Sequence, residues 1–124
     1  MLYAILCYHD EETVWSWDKE REASVMKGLG EVQARLAAAG KMGPSARLFP
    51  TTSAVTLRKH VEPPLVIDGP FAETKEQLLG LYVLDVADLD EALGAARELA
   101  AANPGGAYEI RPLALYNPDP RPAA

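Results

Sequence analysis

The sequence predicts an α+β domain, because three kinds of signal alternate along it. Short apolar runs of strand length lie at both ends and in the middle, two long segments have helical periodicity, and Gly/Pro-rich punctuation separates them. A chain of 124 residues, 48% hydrophobic, suits one domain with one core. That domain is expected over residues 1–116, followed by a mobile Pro/Ala-rich tail over 117–124.

Leu2 to Tyr8 reads as the first strand, ended by the charged run His9-Asp10-Glu11-Glu12. Asp18 to Ala39 reads as a helix: Val25, Leu29, Val32 and Leu36 recur at four- and three-residue steps and share one face. Gly40 stands where a left-handed cap ends a helix, and Gly28 and Gly30 mark a close backbone approach or a bend. Ala54 to Lys59 is the next strand candidate. His60 to Pro64 is a turn, since two prolines do not fit a central strand. Leu65 to Ile67 is an added short strand and Leu79 to Val86 a strong one. Asp88 to Ala102 is a helix opened by the capping pair Asp88 and Glu91, with Leu89, Ala92, Leu93, Ala96 and Leu99 on its apolar face. Asn103-Pro104-Gly105-Gly106 stops it, and Tyr108 to Leu115 is the last strand. The order is that of a ferredoxin-like βαββαβ fold with an extra short strand.

Two helices cover one face of such a sheet. The strands are apolar on both: Leu2, Ala4 and Leu6 oppose Tyr3, Ile5 and Cys7, and Leu79, Leu81 and Val83 oppose Tyr82, Leu84 and Val86. A second copy packed sheet to sheet is the simplest cover, giving a homodimer; a loop or the C-terminal tail folded across the sheet is the alternative.

A net charge of −6 without a Lys/Arg cluster argues against nucleic-acid binding. Cys7 is the single cysteine, so no intrachain disulfide forms, and a buried small hydrophobe is its expected role. Without a signal peptide or a membrane-length apolar run, the cytoplasm is the expected compartment and no membrane partner is expected. His9 and His60 lack metal-ligand spacing, His60 lies in a Pro-rich turn, and Asp10-Glu11-Glu12 reads as a solvated run, so no metal or cofactor is expected. No phosphate-binding glycine loop is present.

His9 ends the first strand, where a histidine bordering a cleft can act as a general base, and Asp68 or Glu76 could orient it; an idle strand-end histidine is the alternative. Trp15 and Trp17 form either a lid over a cleft or a hydrophobic staple. Arg111 either pairs with Glu109 or reaches an anionic ligand. The most distinctive stretch is Asp68-Gly69-Pro70-Phe71-Ala72-Glu73-Thr74-Lys75-Glu76. As plain turn chemistry, Gly69 and Pro70 set the bend. Phe71 anchors it to the core, and Phe71→Ala costs about 3–5 kcal/mol if the ring is fully buried. As a ligand loop, it gathers Asp68, Phe71, Thr74, Lys75 and Glu76 beside the sheet.

This stretch resembles the signature of the DGPF group of YCII-related proteins. The resemblance extends through Leu2 to Tyr8, Ala38-Ala39-Gly40, Leu79 to Tyr82 and Glu109-Ile110-Arg111-Pro112. It implies a dimeric ferredoxin-like fold with α+β-barrel-like packing and a cleft beside the sheet. Within that family some members are thought to use a His/Asp pair for dehydrochlorinase-type lyase chemistry, and many DGPF members are encoded near extracytoplasmic-type sigma factors. The family histidine lies in the first helix; the segment from Asp18 to Ala39 holds none. Beside a purely structural dimer, in which the signature serves turn geometry and assembly, two functions are therefore expected as alternatives. One is cofactor-independent proton transfer, elimination or isomerisation on a small polar or aromatic molecule, with His9 and Asp68 as base and orienting acid and Lys75 or Arg111 stabilising negative charge. The other is a non-catalytic ligand-binding or accessory module tied to sigma-factor regulation.

Overall fold

The computed structural model describes residues 1–119. The expected tail falls, beyond Asp119, outside the described residues. The elements in chain order are β1 (Leu2–His9), α1 (Glu11–Trp15), α2 (Lys19–Ala38), β2 (Met42–Arg47), β3 (Val55–Arg58), β4 (Leu65–Asp68), β5 (Gln77–Asp85), α3 (Leu89–Ala102) and β6 (Ala107–Pro112). Four strands form an antiparallel sheet in the order β2-β5-β1-β6, the ferredoxin-like arrangement, while β3 and β4 pair only with each other.

Local chemistry sets the helix starts. Asp18 accepts a hydrogen bond from the Arg21 amide at 2.7 Å and Asp88 from the Glu91 amide at 2.9 Å, satisfying donors that the first turn leaves free. Gly40, at φ +72°, ends α2 in the left-handed conformation. The two long helices cover one face of the sheet. Leu29, Val32 and Leu36 of α2 and Ala92, Ala95, Ala96 and Leu99 of α3 pack on Tyr3, Ile5, Tyr82, Leu84 and Val86. Of the two α2 glycines, Gly28 has the close approach: a Cβ there would lie 3.3 Å from Ala102 Cβ of α3, whereas Gly30 faces open space. Among the described residues no helix packs on the opposite face, which includes Leu6, Leu81 and the buried Ala4 and Val83.

The structure differs from the sequence reading at four places. The sheet's second strand is Met42–Arg47, while the Ala54–Lys59 segment pairs with the added short strand as a separate ribbon. The sequence Met-Gly-Pro-Ser-Ala-Arg has no apolar alternation, and Pro44 fits because β2 is an edge strand whose register shifts between Met42 and Ser45. The charged run after His9 contains a short helix, α1, with Asp10 as its N-cap. The last strand stops at Pro112. On α3, Leu89 is exposed and Ala95 is buried in its place. Among the described residues, no helix is long and apolar enough to cross a membrane.

Candidate functional site

A cleft of about 240 Å³ opens between α2 and the ends of β1, β5 and β2. Val25, Met26 and Leu29 of α2 form one wall, and Cys7, Tyr82 and Tyr108 rise from the sheet. His9 closes one end, because odd-numbered residues of β1 point toward the helices. A bulge in β5, which leaves Leu79 outside the pairing of Cys7 with Gly80 and Tyr8 with Leu78, keeps Gln77 opposite His9 on that side. Gln77 accepts from the Glu11 amide at 2.9 Å, and Glu11 in turn accepts from both the amide (2.8 Å) and the hydroxyl of Thr51. These bonds hold α1 and the loop after β2 against the cleft's outer edge.

The His9 ring is held on two sides. Trp17 meets it edge-on, with ring centroids 6.4 Å apart, and Arg21 lies over the Trp17 ring at 4.9 Å. Below it runs the turn between α3 and β6. Gly105 (φ +97°) passes so close that a Cβ would lie 2.6 Å from His9 Nε2, and one on Gly106 (φ +75°) would clash with the Tyr8 carbonyl. Only glycine fits this turn, both for its backbone conformation and for the space.

Among the described residues, three buried side-chain polar atoms have no hydrogen-bond partner: His9 Nδ1, Asn103 Oδ1 and the Tyr108 hydroxyl. All three residues line this cleft. Buried polar groups are ordinarily satisfied, so three orphans beside one cleft set this part of the fold apart. Burial keeps the phenols and the thiol protonated. It pushes Cys7 up from 9.0 to about 12 and Tyr82 from 10.0 to about 12. The Tyr108 hydroxyl is raised further by burial, with Cys7 and Tyr82 adding to the rise and the adjacent Asn103 side chain offsetting part of it. Cys7 thus faces the cleft as a thiol, a poor nucleophile.

Of the residues expected in a site, only His9 lines the cleft. Asp68 ends β4 and is exposed. Phe71 is 71% exposed, with Arg58 stacked over its ring at 4.9 Å, so it does not anchor the loop to the core. Thr74 donates to the Glu76 carbonyl at 2.5 Å within an exposed turn that also holds Lys75. Arg111 is exposed on the sheet face opposite the helices, since it pairs with Ala4. Trp17, one of the two tryptophans read as lid or staple, faces the cleft, while Trp15 stacks on Phe49 outside it. Asn103 and Tyr108 were not singled out as site residues. The signal that could have found them is the Pro-Gly-Gly turn, which folds back on the strand ending in His9.

The same span that builds the sheet, both helices and the cleft is what other proteins share. An uncharacterized protein of Rhizobium meliloti (strain 1021) is 57% identical over 124 residues, which covers 99% of this chain and 100% of that protein. The family model for the YCII-related domain matches residues 1–116, from the first strand past the last, and the chain belongs to that family.

Proposed function

We propose that the cleft under α2 binds a small molecule with an apolar or aromatic body and a hydrogen-bonding end, and that His9 exchanges a proton with it without a cofactor. One observation carries this reading: His9 Nδ1, Asn103 Oδ1 and the Tyr108 hydroxyl, all buried and unpartnered, belong to residues of one cleft, whose other lining is apolar apart from Glu22, Gln33, Ser45 and Arg47. Tyr108, kept protonated, is a donor to the ligand, Asn103 Oδ1 an acceptor, and Nδ1 the proton-accepting atom of a base. Elimination or isomerisation begins with that transfer. Val25, Met26 and Leu29 offer the ligand's apolar body a hydrophobic wall.

The stretch from Asp68 to Glu76 supports placing the chain in the DGPF group. Its exposure outside the cleft favours a second reading, a binding or accessory module that presents this loop to a partner, such as a component of sigma-factor regulation. The apolar face that carries no helix supports pairing with a second copy.

A thermal-shift screen of small phenols, aromatic acids and amides tests the cleft. The expected result is a stabilising compound whose shift is lost in Tyr108→Phe and His9→Ala and kept in Asp68→Asn and Lys75→Ala. If no compound gives a shift that depends on Tyr108 or His9, the cleft is not a binding site. Deuterium uptake from solvent into a bound compound, seen by NMR in wild type and lost in His9→Ala, separates catalysis from binding alone.

A further inference from the structure

We infer that the β3–β4 arm is the element by which two copies of this chain grip each other, each arm laying an apolar side on the open sheet face of the other. The inference rests on the pairing proposed above and names the surface that does it.

The arm is a two-stranded ribbon whose strands pair with each other and make no substantial packing contact with the sheet or helices. Such a ribbon alone in water is marginally stable. Its side chains are those of a buried ribbon. Leu57 stands opposite Val66 on one side, Leu65 and Ile67 lie on the other, and all four are exposed. A solvated ribbon of this kind invites association.

The surface area points the same way. A folded monomer of 13.4 kDa exposes about 6,500 Å². This chain exposes 8738 Å², an excess of about 2,200 Å². Granting the eight residues after Tyr116 the whole area of an extended chain removes about 1,200 Å² of that. The remaining excess of about 1,000 Å² exceeds the roughly 800 Å² per partner that a stable interface needs. The receiving surface is the face with no helix among the described residues, where half-buried Leu6 stands opposite half-buried Leu81, next to Ala4 and Val83, which the chain itself already buries. Each copy carries both an arm and an open face, so two copies close on each other about a two-fold axis.

Sedimentation velocity on the full chain tests this with wild type and the double variant Leu57→Glu/Val66→Glu. Both substituted positions are solvent-exposed in the lone chain, so the variant is expected to keep the wild-type circular dichroism spectrum. Wild type is expected to sediment as a dimer, and the variant as a monomer with pairing weakened about a hundredfold. A monomeric wild type at micromolar concentration would defeat the pairing and this inference together. A variant that still pairs as wild type does would defeat the arm's role alone and leave the pairing standing. If the variant misfolds, a photo-crosslinking residue at position 66 of an otherwise native chain decides. Cross-links to β1 or β5 of a second copy support the arm, and cross-links within its own chain, or to the partner's helices, overturn it.

Discussion

The covered face of the sheet and the β3–β4 arm are written in the same residues, with opposite results. Tyr3, Ile5, Tyr82 and Leu84 alternate along β1 and β5 and are buried; Leu57, Leu65, Val66 and Ile67 pair just as regularly and stay wet. Strand propensity is equal to the task in both places. What differs is the cover: α2 and α3 lie over the first set, and among the described residues nothing lies over the second. Pairing makes a strand, but only a layer on top makes a core.

That contrast is tested most severely in the core. Leu84→Ala or Leu99→Ala, each removing a fully buried side chain, is expected to cost about 2–5 kcal/mol in urea unfolding. Leu57→Ala in dilute, unpaired protein should cost less than about 0.5 kcal/mol; an equal loss at both places would erase the distinction. Alkaline pH probes the covered side next. The fold raises Cys7 and Tyr82 to about 12, so the folded chain holds protons that the unfolded chain releases from about pH 9 upward. Stability is therefore complete below pH 9 and falls as pH climbs toward 12, and Cys7→Ala should flatten the fall in melts run across that range. A profile flat to pH 12 would mean that these groups are hydrated. Removing the α3 cap with Asp88→Ala should cost about 1 kcal/mol by thermal melting. Phe71→Ala is the smallest effect. With the ring exposed and only Arg58 stacked on it, the loss should stay under about 1 kcal/mol, and a larger one would show the loop packed against the core.

The two long helices and the three apolar strands of the sheet were legible because each carries its own periodicity: Leu29, Val32 and Leu36 announce a face without help from distant residues. β2 was not, since an edge strand holding Gly43 and Pro44 owes its existence to β5 alongside it. The candidate site divides in the same way. His9 could be picked out from its place at a strand end, but Asn103 and Tyr108 join it only through a turn about a hundred residues away in sequence. The most conspicuous words in the chain, Asp68 to Glu76, pulled attention to a loop that lies apart from the cleft. A motif can be distinctive for its turn geometry or its surface and carry no information about the pocket.

Glu11 deserves a last consideration for where it stands. Its backbone is tied to Gln77 at the start of β5, and its carboxylate to Thr51 at the root of the arm. One short helix, carrying Val14 on the cleft side, is thus stitched to both banks. The root of the arm and the rim of the pocket therefore share a single anchor, so a change at Glu11 removes bonds from both.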